Sequence, residues 1–268
     1  MAFPAQRIVC LTEETVETLY LMGEQDRIVG VSGYAVRPPQ VRREKQRVAA
    51  FISADVPKIL ALEPDLVLTF SDLQAGIVAD LVRAGIAVHA FNHRTIDGIF
   101  DMIGTLAALV DARAAGDRLA LELSTRLGIR ATKARLRRRK PRVYFEEWDE
   151  PMISGIGWVS ELIAVAGGVD VFAGIAGGKS AKERIVSTEA VIAAEPDIII
   201  GSWCGKKFRP EKVANRPGFG TLPAVRSGHL FEIKSPIILQ PGPAALTDGL
   251  DAMVRIIDDW GTSEGALE

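Results

Sequence analysis

One short pattern occurs twice in this chain, and it dictates the architecture. Residues 59–68 read Ile-Leu-Ala-Leu-Glu-Pro-Asp-Leu-Val-Leu, and residues 191–200 read Val-Ile-Ala-Ala-Glu-Pro-Asp-Ile-Ile-Ile. Each is the tail of a helix, a Glu-Pro-Asp corner and an all-apolar strand. Pro64 and Pro196 forbid continuation of the helix and drive the preceding residue out of the α region. The strands Leu66–Phe70 and Ile198–Gly201 show no polar alternation, so both faces are expected to be buried, as in a parallel sheet covered by helices. Two copies of one corner predict two similar lobes, and a cleft between lobes is where small molecules bind.

The remaining punctuation fits that plan. Strands are expected at Arg7–Leu11, Arg27–Val31 and Ile86–Phe91, with helices from Thr12 to Met22 and over Ala75–Ala84, stopped by Gly23 and Gly85. Residues 112–139 lack proline and are rich in Ala, Leu, Arg and Glu, which predicts a helix of about 25 residues. Its end, from Lys133 to Arg142, is strongly basic and reads as a solvated helix C-terminus, where cations favour the dipole. A second βα series follows: a strand at Arg142–Phe145, helices at Val159–Ala166 and Ser187–Ala194, a strand at His229–Ile233 and a closing helix at Ala244–Trp260. The expected fold is α/β: two Rossmann-like lobes with parallel sheets, residues 1–110 and 141–268, joined by one long α-helix within 111–140.

A net charge of −2 favours neither nucleic acid nor an anionic membrane. No apolar run approaches a transmembrane length. The chain enters its first strand without a basic-then-apolar leader, so as written it reads as cytoplasmic, or periplasmic if a leader has been removed. The two cysteines, Cys10 and Cys204, fall in opposite lobes and are expected to be free thiols.

At this point the residues resemble a known family, the class III solute-binding proteins of ABC importers, which bind vitamin B12, ferric siderophores and haem. The resemblance is strongest to the vitamin B12-binding branch. It is carried by Gly30-Val-Ser-Gly-Tyr-Ala-Val-Arg-Pro-Pro39, the first Glu-Pro-Asp corner, Gly167-Gly168-Val-Asp-Val-Phe172 and Val186-Ser187-Thr188-Glu189. It implies a monomeric binding protein, not an enzyme, that holds a metal chelate for an ABC permease. It also implies that Glu189 docks onto that permease; the first-lobe counterpart falls at Pro57, with Asp55 nearby. Two of the family's cleft tryptophans align with Phe51 and Phe70. A ferric-siderophore or haem binder, a cytoplasmic corrinoid carrier or sensor, and a tetrapyrrole chelatase are the rival readings.

Ligands of parallel α/β lobes bind beyond the carboxyl ends of the strands. That rule selects Glu13, Glu14, Tyr34, Phe51, Phe70, Asp72, Asn92 and His93 in the first lobe. In the second it selects Glu146, Glu147, Trp148, Asp149, Trp158, Trp203, Cys204, Lys206, Lys207 and Arg209. The carboxylates around Trp148 are expected to accept hydrogen bonds from ligand amides or to meet a cation, while the indole offers a flat face to a macrocycle. Lys206, Lys207 and Arg209 suit an anionic ligand. No resident cofactor and no bare metal site are expected: His89 and His93 lie on and just after an expected strand, where four residues span about 13 Å. Gly177-Gly178-Lys179-Ser180 looks like the end of a phosphate loop, but alanine stands at 173 where the first glycine is required.

Overall fold

A computed structural model describes residues 3–265, so the outermost residues of both expected lobes lie outside the described residues. The chain divides into two compact units. One runs to His93 and resumes over Asp97–Leu123; the other takes Arg94–Ile96 and the chain from Ser124 onward.

In the first unit the chain forms β1 (Ile8–Cys10), α1 (Glu13–Met22), β2 (Ile28–Ser32), α2 (Val41–Glu44), β3 (Arg47–Ala49), α3 (Val56–Leu60), β4 (Leu66–Phe70), α4 (Ala75–Arg83) and β5 (Val88–Phe91). The strands are all parallel, in the order β3-β2-β1-β4-β5. Strand β3 was not anticipated, because three residues with an exposed arginine carry no readable periodicity. One face of the sheet packs Val9, Leu11 and Val67 against Ile59 of α3 and Leu81 of α4.

Two helices follow, α5 (Ile96–Leu109) and α6 (Arg113–Arg135). Helix α6 has 23 residues, close to the expected length, and the division between the units falls inside it. Its later part is held within the second unit, where Arg126 and Arg130 both reach Asp251.

The second unit continues with β6 (Arg142–Asp149), β7 (Met152–Ser154), α7 (Gly157–Ala166), β8 (Val169–Asp170), α8 (Thr188–Ala193), β9 (Ile198–Gly201), α9 (Pro210–Ala214), α10 (Pro223–Arg226), β10 (Leu230–Glu232) and α11 (Ser235–Ile238). One π-helical turn at Ala245–Gly249 leads into α12 (Leu250–Gly265). The sheet order is β10-β9-β6-β7, and β8 pairs with the start of β6. Strand β6 is longer than the sequence suggests. It does not end at Phe145 but runs on to Asp149, because its second half pairs antiparallel with β7 in a hairpin.

The repeated corner has one structural logic in both units. Asp65 accepts the backbone N–H groups of Gln6 and Arg7 at 2.8 and 3.1 Å, and its own N–H donates to the Arg7 carbonyl at 2.9 Å. Asp197 repeats this on Arg142, accepting its N–H and donating to its carbonyl, each at 2.8 Å. The same arginines reach the ends of the preceding helices: Arg7 donates to the carbonyls of Leu62 and Glu63, and Arg142 to that of Ala194. The residues before the prolines take the left-handed region, Glu63 at φ 47° and Glu195 at φ 40°. This is how each chain escapes the right-handed helix and turns into β4 or β9. The corner thus fixes β4 against β1 and β9 against β6. Asp197→Ala should cost about 1 kcal/mol through its one lost bond to a backbone N–H, and Asp65→Ala about 2 kcal/mol through its two, read as falls in stability by urea unfolding.

Candidate functional site

In the first unit the strand order reverses at β1 and β4: the chain leaves β1 for β2 on one side and β4 for β5 on the other. Such a switch point is where open parallel sheets take ligands, at the carboxyl ends. The loops there are Leu11–Thr12, opening α1, and Ser71–Gln74, opening α4.

Glu13 and Glu14 sit at the first turn of α1, as the sequence places them, but both are buried. Glu13 Oε2 and Glu14 Oε1 accept no hydrogen bond among the described residues. Burial pushes the Glu13 carboxyl up to about 7. Burial also pushes Glu14 up to about 8, with the charge of Glu13 adding and the Thr12 hydroxyl opposing. Near neutrality Glu14 is largely a carboxylic acid and Glu13 about half protonated, so the pair can donate hydrogen bonds as well as accept them.

The aromatic residues separate. Phe70 is a core residue, not a rim residue, with its ring edge-on to His93 at 5.3 Å. Phe51 is half-buried, while Tyr34 and Asp72 are exposed. Two residues absent from the sequence-based candidates join Tyr34. Ile52 is 70% exposed and Leu73 61%, against 55% for Tyr34, and all three follow strand carboxyl ends. Ile52 stands on a tight turn in which the Ala50 N–H donates to the Ser53 carbonyl at 2.8 Å. An isoleucine on a turn was the available signal, and it reads equally well as core.

In the second unit most of the expected ligand carboxylates are already engaged. Glu146 is fully buried. Arg216 grips it with both terminal nitrogens, at 2.5 and 2.9 Å, while the Tyr144 hydroxyl and the Trp203 indole N–H each donate at 2.9 Å. Each oxygen therefore accepts two bonds, and Glu146 is an internal strut rather than a ligand contact. Glu147 is paired with the buried Arg184 at 2.6 and 3.1 Å. Trp158, expected at the rim, is core: its indole N–H donates to the Ile238 carbonyl at 2.9 Å. Trp203 is likewise buried, edge-on to Phe208 at 5.0 Å. Phe208 packs so closely on the end of β9 that a Cβ on Gly201 would lie 1.9 Å from its ring.

Trp148 remains half-buried, and its indole N–H is taken by the Glu150 carbonyl at 2.9 Å. Lys206 lies over its ring, 3.8 Å from the centroid, and is paired with Asp149, which also accepts Lys212 at 2.7 Å. Burial opposes ionisation of Asp149, but these two ammonium groups outweigh it and hold the carboxyl below its ordinary range. The three basic residues expected to meet an anion, Lys206, Lys207 and Arg209, are all exposed, but Lys206 is already paired with Asp149. Cys10 is buried and Cys204 exposed, and neither is in a disulfide. Glu189 is exposed on the first turn of α8, whose N-cap Ser187 accepts the Ala190 N–H at 3.2 Å. Among the described residues no three His, Cys, Asp or Glu side chains are grouped to hold a metal ion.

A family model described as periplasmic binding protein matches residues 8–237. The chain belongs to the periplasmic binding protein family. The family's role is solute binding, not catalysis. A vitamin B12-binding protein of Vibrio cholerae is 28% identical over 252 residues, spanning 91% of this chain and 86% of that one. The solved periplasmic vitamin B12-binding protein BtuF of Vibrio cholerae superposes with a TM-score of 0.75 at 26% identity, covering 97% of this chain and 99% of that one. A periplasmic haem-binding protein of Pseudomonas aeruginosa shares the fold, with a TM-score of 0.78 at 19% identity and coverage of 94% and 92%.

The buried acids predict a distinctive pH response. In the unfolded chain Glu13 and Glu14 ionise near 4.5, whereas in the folded protein they hold their protons up to about 7 and 8. Between those limits the unfolded state carries fewer protons, so this contribution to stability falls as pH rises. The Glu13→Gln/Glu14→Gln double variant should therefore melt several degrees above the parent near pH 8 and close to it near pH 4, measured by melting temperature against pH.

Proposed function

We propose that this chain is a substrate-binding protein that holds a corrinoid, or a related flat metal chelate, at the carboxyl ends of its parallel strands for delivery to an ABC-type permease. The observation that carries this reading is the exposed apolar rim of Tyr34, Ile52 and Leu73 at the strand ends of the first unit. Three large apolar side chains just beyond the carboxyl ends of β2, β3 and β4, strands of one parallel sheet, have a use if they meet an apolar ligand face. A corrin ring supplies such a face and carries peripheral amides, which suit carboxyl groups able both to donate and to accept. The similarity to vitamin B12-binding proteins over nearly the whole chain supports the same class. On this reading the protein acts as a monomer, and Glu189 is its permease-docking residue.

A ferric siderophore is the second reading, favoured by the exposed Lys207 and Arg209 beyond β9. Many such chelates are anionic. The internal pairing of Lys206 with Asp149 removes one of the three cations on which that reading depends.

A thermal-shift and absorbance titration with cyanocobalamin, cobinamide, haemin and two ferric siderophores separates the readings. A ligand that binds only the folded state, at about 100 times its dissociation constant, adds about 2.7 kcal/mol of stability. A shift with the corrinoids and none with the siderophores is expected. A shift with siderophores alone, abolished by Lys207→Glu/Arg209→Glu, would establish the second reading. Absence of any shift at tens of micromolar would contradict both.

A further inference from the structure

Gln74 lies on the 3-10 turn between β4 and α4, and its side chain is fully buried. Its place in the sheet is unusual. The ladder between β1 and β4 ends with the Leu11 N–H donating to the Leu68 carbonyl at 2.9 Å. In a parallel pair the next rung would run from the Phe70 N–H to the Leu11 carbonyl. The Gln74 carboxamide takes that rung. Its Oε1 accepts the Phe70 N–H at 3.0 Å, and its Nε2 donates to the Leu11 carbonyl at 3.2 Å. An amide group thus stands between the two strands at the switch point, in place of a direct bond. The second hydrogen on Nε2 goes to the Phe51 carbonyl at 2.7 Å. One side chain therefore ties the ends of β1 and β4 to the turn that carries Ile52. Leu73, its neighbour in sequence, has its own N–H on the Ser71 hydroxyl at 3.4 Å.

We infer that Gln74 is the positioning residue of the first unit's ligand rim: its amide holds the ends of β1 and β4 apart and fixes the Phe51–Ile52 turn, so that Ile52 and Leu73 are presented in a set geometry. The inference rests on the binding role proposed above and names the side chain that organises it. Only a carboxamide places an acceptor and two donors on one rigid plane without charge. Preorganised contacts cost less ordering when ligand arrives, so loosening the rim should weaken binding even where the fold survives.

The test uses Gln74→Met, similar in volume but unable to make the three bonds, beside Leu81→Ala, which weakens the same unit's core away from the strand ends. Cyanocobalamin and haemin are titrated well below the melting temperature of each variant. Gln74→Met should lose about tenfold in affinity for the probe the parent binds, whereas Leu81→Ala should lower the melting temperature and keep the affinity. Gln74→Glu should bind weakly near pH 8. It should recover relative to the parent near pH 5, where a protonated acid restores one donor. Parent-like affinity in Gln74→Met would overturn the inference. A second readout needs no ligand: amide exchange at Phe70, followed by NMR, should accelerate in Gln74→Met, and an unchanged rate would overturn the wedge itself. If the parent binds neither probe, the binding role fails, while the exchange measurement still decides what Gln74 does.

Discussion

The reciprocal bond between an aspartate and an arginine at the amino end of a central strand is the constraint on which the rest depends. Asp65 with Arg7, and Asp197 with Arg142, each close a two-way backbone link at the amino end of a parallel pair. The register of that pair is then set. Proline prevents the preceding helix from running on, and the arginine side chain engages the carbonyls at the helix end. With the amino ends fixed in this way, every apolar residue of β4 and β9 falls into a buried layer. The variable chemistry is displaced to the carboxyl ends, where each strand opens into a loop and a helix start.

The two units use those ends differently. In the first, neighbouring carboxyl groups are buried without full complements of partners, and the exposed surface nearby is apolar. In the second, acidic side chains are matched by basic ones. Glu146 with Arg216, Glu147 with Arg184, and Asp149 with Lys206 and Lys212 form a set of struts that braces the β6–β7 hairpin and the loop after β9. Removing one member of a buried pair leaves the other uncompensated, so these residues act through rigidity. Trp148 is half-buried under Lys206.

Much of the fold was legible because its signals are local. Glu-Pro-Asp, the glycine stops and the apolar runs are each read within about ten residues, and they yield the order of helices and strands. Three short strands, β3, β7 and β8, escaped because two or three residues carry no period. The site was less legible, for a physical reason. Whether a charge is available depends on its partner, and the partners lie far along the chain: Arg216 is 70 residues from Glu146, and Arg184 is 37 from Glu147. Nothing local distinguishes Glu146, a strut, from Glu13, an acid without a full set of partners. Ile52 and Leu73 were missed for the converse reason. An apolar residue is assigned to the core by default, and only the turn beneath Ile52 betrays its exposure.

The central claim is that the carboxyl ends fixed by the repeated corners are the ligand-binding surface. Hydrogen–deuterium exchange, read by mass spectrometry on the full chain with and without saturating cyanocobalamin, tests it most directly. The account predicts protection in segments 12–14, 50–53 and 71–74 of the first unit, with the corner segments around Asp65 and Asp197 unchanged. Protection confined to the amino ends of the strands, or to the exposed face of α6, would contradict it.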